Sequence, residues 1–154
     1  MKAEPDSRIV DGVDVKFSID DLEAGGTSSW DGVRNHEAKN HMRRMNVGDL
    51  AFFYHSNCKT PGIAGVMRIC RAAYVDHTAF DRKHPYYDAR SDPAAPKWFM
   101  VDVEFVRRLD RFVPLAELRA TPALANMALM TRSRLSVSPV RAAEWQVVEK
   151  MAQE

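Results

Sequence analysis

Residues 50–74 read Leu-Ala-Phe-Phe-Tyr-His-Ser-Asn-Cys-Lys-Thr-Pro-Gly-Ile-Ala-Gly-Val-Met-Arg-Ile-Cys-Arg-Ala-Ala-Tyr. Leu50 to Ser56 is a strand by composition, because aromatic side chains fit a pleated, half-buried surface. Thr60-Pro61-Gly62 is turn chemistry, and Ile63 to Tyr74 is a second long strand with Ile63, Val66, Ile69 and Tyr74 among its apolar positions. The two strands are expected to pair as a hairpin. Gly65 inside the second marks a bulge or a close backbone approach.

On the C-terminal side of this hairpin, residues 81–96 hold Pro85, Pro93 and Pro96 among scattered charges and read as a long excursion loop. Lys97 to Leu109 returns to strand, with Val101, Val103 and Phe105 on one face and Asp102 and Glu104 on the other. Pro114 opens a helix to Ala120, as proline does at a first turn, and 123–130 is a second short helical piece. Leu135 to Ser138 is expected as a short strand. Pro139 to Gln153 is expected as a terminal helix burying Val140, Ala143, Val147, Val148 and Met151.

On the N-terminal side, 14–17 is extended. Ser18 caps a short helix with Asp21 as its capping-box partner, and Gly25-Gly26 ends it. Thr27 to Ser29 is expected as a loop leading into Trp30. Asn35 to Met45 is an amphipathic helix with Ala38, Met42 and Met45 on one face, and Asn40, Lys39 and Arg43 pointing elsewhere. Asn35 can cap its start, and Gly48 falls just past its end. Strands cluster in the middle without a βαβ rhythm. The expected class is therefore α+β, a mostly antiparallel curled sheet or small barrel with surrounding helices.

The 154 residues predict one domain, 1–154, and 45% hydrophobic with 28% charged residues is ordinary for a globular chain. No apolar run approaches the length of a membrane span, and Met-Lys-Ala-Glu-Pro lacks the apolar core of a signal peptide. Cys58 and Cys70 without CxxC spacing point to free thiols in a reducing compartment, so nuclear or cytoplasmic residence is expected rather than secretion. The net charge is +1, but residues 34–71 carry seven Lys or Arg against Glu37 and Asp49, a local +5. Such a patch suits phosphate contact, or is simply a solvated helix face.

The chain carries no GxSxG, Walker, GxGxxG or HExxH pattern and no His-x-Glu with PCxxC. His36 and His41 are five apart and do not share a helix face, so no metal site is expected. What remains is aromatic and polar: Trp30, Phe53, Tyr54, His55, Ser56, Asn57 and Trp98. Two aromatic walls form a slot for a nucleobase, with polar groups at its end to read the base edge. From composition alone, Trp30, Phe53 and Trp98 read rather as core, since large aromatics are highly buried on average.

Seven stretches carry a resemblance to a known family. They are Met1-Lys-Ala-Glu-Pro-Asp, Phe17-Ser-Ile-Asp-Asp-Leu, Trp30-Asp-Gly-Val-Arg-Asn, Phe52-Phe-Tyr-His-Ser-Asn, Pro61-Gly-Ile-Ala-Gly-Val, Pro96-Lys-Trp-Phe-Met-Val-Asp-Val and Leu135-Ser-Val-Ser-Pro. The chain resembles the EVE domain family over essentially its whole length, and within it the thymocyte nuclear protein type. The resemblance implies a PUA-like fold, a small twisted β-barrel with helices packed around it. It also implies a non-catalytic reader of a modified base, of the 5-methylcytosine type in DNA or a modified RNA base, flipped into an aromatic pocket.

Carried over, the base-binding candidates are Lys2, Glu4, Trp30, Val33, Arg34, Asn35, Tyr54, His55, Ser56, Asn57, Gly62, Ile63, Trp98, Thr131 and Arg132. Arg34, Lys39, Arg43, Arg44 and Lys59 are the phosphate candidates. No cofactor or membrane contact is implied, and a monomer is expected. The family usually carries Trp-Leu ahead of Met-Lys, so the first strand is expected to be short, and Ala3 stands where the family usually has Ser. Two other readings remain open at this point: an enzyme acting on a nucleotide-like molecule with His55 as acid or base, and a module binding a peptide in the slot.

Overall fold

The structure is a computed structural model that describes residues 1–154. In chain order its elements are β1 (Lys2–Ala3), β2 (Ile9–Val10), β3 (Val13–Asp14), α1 (Ile19–Gly25), β4 (Thr27–Ser29), α2 (His36–Arg43), β5 (Leu50–His55), β6 (Gly62–Val75), β7 (Phe99–Pro114), α3 (Leu115–Arg119), α4 (Ala128–Thr131) and α5 (Ala142–Ala152). Short 3-10 turns lie at His77–Phe80 and Pro122–Leu124.

The expected hairpin is the middle of the sheet. β5 pairs antiparallel with β6 from Leu50↔Arg68 to His55↔Gly62, and β6 continues alongside β7 from Gly62↔Pro114 to Val75↔Phe99. The register slips several times along these two long strands, once at Gly65. A Cβ on Gly65 would stand 2.8 Å from the Arg107 carbonyl oxygen, so glycine allows the two backbones to close there. The class is α+β, with strand order β1-β5-β6-β7-β4 and β1 parallel to β5. The barrel is not formed: β1 and β4 are the two edges of an open sheet, and they do not pair with each other.

Both faces of this sheet are covered, which is why β5 and β6 read as near-continuous apolar runs rather than alternating ones. Phe53 packs on one face with Ile19, Leu22, Trp30, Met42 and Val101. Phe52 and Tyr54 point to the other, packing with Leu118, Met127 and Val148. Trp145 of α5 stacks on Phe52 with ring centroids 3.7 Å apart.

The helix starts form as their capping residues dictate. Ser18 and Asp21 make a reciprocal capping box on α1, and Gly26, with φ +82°, returns its N–H to the Leu22 carbonyl. Asn35 Oδ1 accepts from the Ala38 N–H at the start of α2. Cys58 and Cys70 are unbridged. No helix is long and apolar enough to cross a membrane.

Four local expectations are corrected. Thr27–Ser29 is not a loop but the edge strand β4, held by pairing with Glu104, Val103 and Asp102 of β7. Leu135–Ser138 is not a strand; Leu135 and Val137 are core residues, and a single backbone bond from Lys2 N–H to the Ser136 carbonyl, 2.8 Å, ties the segment to β1. In α5 the buried face is Glu144, Val148, Met151 and Ala152, and Ala143 is exposed. Lys39, set apart from the apolar face of α2 in the sequence, is itself only 8% exposed, packed over Trp98.

Candidate functional site

The unclosed side of the sheet is where a cavity opens. Its volume is about 540 Å³, within the ~300–1,000 Å³ usual for ligand sites. One wall is the β1 edge, with Lys2, Ala3 and Glu4; the facing wall is the β4 edge, with Ser28, Ser29 and Trp30. Asp31, Gly32 and Val33 continue that second wall, and Arg134 and Ser136 reach in from the segment bonded to β1. A β2–β3 hairpin turning at Asp11-Gly12, both at positive φ, brings Val13, Val15 and Phe17 to the rim. Ile9 and Val13 of that hairpin are exposed apolar residues, 64% and 46% accessible.

Trp30 belongs to both the core and the cavity. It is 6% exposed and packs edge-on against Phe17 and Phe53, at 6.0 and 5.6 Å between centroids. Its N–H bonds the Val101 carbonyl at 2.8 Å, so the β4–β7 ladder fixes its backbone. Phe17, Trp30 and Tyr86 are the aromatic residues of the cavity wall.

Tyr86 lies over Gly32: a Cβ on Gly32 would meet the Tyr86 ring at 2.6 Å, and its φ is +79°. Gly32→Ala is therefore expected both to strain the backbone and to displace Tyr86 from the cavity. A lowered melting temperature together with a shifted tyrosine environment in near-ultraviolet circular dichroism checks this; an unchanged spectrum would show that the contact is not tight.

Behind the loop sits a buried ion pair. Asp76 is fully buried and accepts from the Gly32 N–H at 2.9 Å, from Arg34 Nη1 at 2.9 Å, and from the Thr78 N–H and hydroxyl. Arg34 also donates to the carbonyls of Tyr86 and Val33 and to the Thr78 hydroxyl. Burial alone would raise the Asp76 pKa, but the hydrogen bonds from Thr78, Gly32 and Arg34 outweigh it and hold the carboxyl below its ordinary value. The carboxyl of Asp31, on the cavity side of the same loop, is shifted the other way, upward, by burial and then by the charge of Asp76.

Of the residues singled out in the sequence, Lys2, Glu4, Trp30, Val33 and Ser56 line this cavity together. The others lie elsewhere, each with a visible reason. Arg34 is engaged internally with Asp76, and Asn35 is a helix cap. Tyr54 and Ile63 pack on the opposite face of the sheet. His55 Nε2 accepts from the Ile19 N–H at 3.1 Å, and burial lowers its pKa. Asn57 is exposed and directed at Glu4, and Gly62 is pressed against the Val113 carbonyl. Thr131 bonds the Met127 carbonyl, and Arg132 pairs with Glu37.

Trp98, the candidate second wall, is not among the residues that line this cavity. It stacks on His36 at 4.7 Å and donates Nε1–H to Asp88 at 2.6 Å, a bond that draws the Asp88 pKa down to about 2. Arg34, Lys39 and Lys97 surround its ring at 5.4–5.7 Å, and Arg43 lies 4.4 Å over Phe99. Arg44 and Lys59 are exposed. Cavity residues not anticipated from sequence include Asp31, Gly32 and Tyr86. Asp31 and Gly32 sit inside the Trp30–Asn35 motif, and the Asp11-Gly12 pair was a direct signal for the hairpin that brings the rim.

The whole chain fits one family. It belongs to the EVE domain family, whose model matches residues 1–151. Among its relatives, thymocyte nuclear protein 1 of Danio rerio is 55% identical, covering 100% of this chain and 71% of that protein. Its counterpart in Homo sapiens is 54% identical, covering 96% and 70%. The crystal structure of the human THYN1 protein in complex with 5-methylcytosine-containing DNA superposes with a TM-score of 0.97 at 51% identity, covering 100% of this chain and 96% of that one. A protein of Pseudomonas putida matches with a TM-score of 0.90 at 42% identity, covering 99% and 97%.

Proposed function

We propose that this chain is a non-catalytic DNA-binding domain that holds one flipped, modified base in the cavity between the β1 and β4 edges. The observation that carries the reading is the match, over the full chain, to a protein solved with 5-methylcytosine-containing DNA. The cavity supports it chemically. Phe17, Trp30 and Tyr86 supply aromatic surface, while Lys2, Glu4, Ser56 and Ser136 supply polar groups. Stacking on an aromatic ring contributes about 1–3 kcal/mol per base. The exposed Arg43, Arg44 and Lys59 are the side chains this reading assigns to the phosphate backbone; Lys39, nearly buried over Trp98, is not among them. The relatives' name as nuclear proteins fits a chain whose ligand is DNA.

Titration of the chain at low salt with oligonucleotides carrying cytosine, 5-methylcytosine, 5-hydroxymethylcytosine, adenine or N6-methyladenine at one position tests the function. Binding that depends on one modification is the expected result. Binding that ignores the modification, or fails altogether, removes the base-reader reading and favours a small-molecule or peptide ligand. Replacing Arg43 and Arg44 by Ala is expected to weaken binding uniformly across sequences. It should also flatten the dependence of log affinity on log salt by about 0.9 for each phosphate no longer neutralised. An unchanged salt slope removes these two residues from the DNA interface.

A further inference from the structure

We infer that Asp31 is the residue that reads the base in this cavity, accepting a hydrogen bond from the 4-amino group of a cytosine-type base and rejecting a base with a carbonyl at that position. The inference rests on the base-reading function proposed above and assigns its specificity to one side chain.

Among the buried and half-buried carboxylates, Asp31 alone receives no hydrogen bond from another residue. Glu4 takes one from Arg8, Asp21 from Ser18, Glu37 from Arg132 and Asp76 from Arg34. Asp88 takes one from Trp98, Asp102 from Tyr74, Glu104 from Arg68, Glu144 from the Arg141 N–H and Glu149 from Arg107. The one basic side chain within 4 Å of the Asp31 carboxylate is His84, whose Nε2 stands 3.9 Å away, too far for a hydrogen bond. Its own backbone N–H is the one hydrogen-bond donor to the carboxylate; a half-buried carboxylate so thinly served is unfavourable, and a donor brought by a ligand relieves it.

The backbone on either side of Asp31 is fixed, by Trp30 N–H to Val101 and Gly32 N–H to Asp76, so the carboxylate is presented to the cavity from a rigid support. The upward pKa direction at Asp31, from burial first and the Asp76 charge second, is the electrostatic sign of the same unmet demand.

The chemistry of the base makes this residue decisive. Thymine and 5-methylcytosine carry the same 5-methyl group, so apolar contacts cannot separate them. At position 4, cytosine presents an amino donor and thymine a carbonyl acceptor. A carboxylate there accepts from the first and repels the second, which corresponds to a preference of about 10- to 100-fold.

The test uses the full chain and duplexes in which 5-methylcytosine or thymine stands opposite an abasic position, so that neither base has a pairing partner to lose. Affinities are read by anisotropy of labelled DNA. The wild type is expected to prefer 5-methylcytosine at least tenfold. Asp31→Asn, whose amide offers both a donor and an acceptor, is expected to bring the two within about threefold while melting no lower than the wild type. Retention of the wild-type ratio in Asp31→Asn overturns the assignment, as does a wild type that binds both bases equally. A wild type that binds neither duplex overturns the base-reading function itself.

Discussion

Replacing Asp76 by Ala is expected to lower the stability of the fold by about 3–5 kcal/mol, because it leaves the Arg34 guanidinium charged and unpaired against a buried loop. Four donors converge on this carboxylate: the Gly32 N–H, Arg34 Nη1, and the N–H and hydroxyl of Thr78. Together they join the loop after β4, the turn after β6 and, through Arg34, the backbone at Tyr86. Asp76→Asn is expected to fall between, since one arm of the amide turns a donor toward donors.

The acid dependence follows from the sign of the shift. The folded-state pKa of Asp76 is depressed, so its contribution is complete above the unfolded carboxylate value of about 3.9 and is lost as pH falls through the folded value. The stability gap between wild type and Asp76→Asn should therefore narrow on acidification below that value. Urea denaturation across the acid range measures both effects. A loss under about 1 kcal/mol at neutral pH would show that the pair is not coupled to global unfolding.

Trp30→Ala is expected to have an effect of similar size on stability, about 3–5 kcal/mol, and to abolish binding of the base as well. The sequence alone suggests that the truncated protein stays intact if Trp30 is a pocket wall. The structure shows one indole serving the wall and the core together, edge-on to Phe17 and Phe53. Loss of binding in this variant is therefore interpretable only beside a control that damages the same core without touching the cavity. Phe53→Leu is that control: Phe53 packs on Trp30 and is not among the cavity residues. It should cost about 0.5–3 kcal/mol and leave affinity within a few-fold. If both variants lose binding in proportion to their stability, the indole has no direct part in recognition.

The hairpin, the long β7 strand and the capped starts of α1 and α2 were legible because each is decided locally, by aromatic and β-branched runs or by a capping side chain three residues from its target. β4 was not, because Thr27-Ser28-Ser29 has no apolar pattern of its own; it is a strand only because β7 offers it a free edge. Leu135–Ser138 misled for the converse reason, its alternating apolar residues being satisfied by the core without a ladder. The site was legible in part. Trp30, Val33, Lys2, Glu4 and Ser56 meet at the cavity, whereas Trp98, equally aromatic and equally plausible in one dimension, is turned to His36 and Asp88. That Tyr86 rather than Trp98 joins Trp30 in lining the cavity depends on where a long loop returns, and nothing in the local sequence encodes that.

The failure of the sheet to close has one more consequence. An open sheet ordinarily leaves two rows of free backbone groups that invite a foreign strand, a route to aggregation. Here both edge strands line the same cavity, β1 already tied down by Lys2 N–H to Ser136 and by Phe17 N–H to Glu4, and Lys2, Glu4, Arg8, Lys16 and Asp31 are set around it. Charges of both signs beside an edge discourage strand addition. The gap thus acts as a guarded seam, and substitutions that neutralise its rim should show first as a loss of solubility on concentration, before any change in melting temperature.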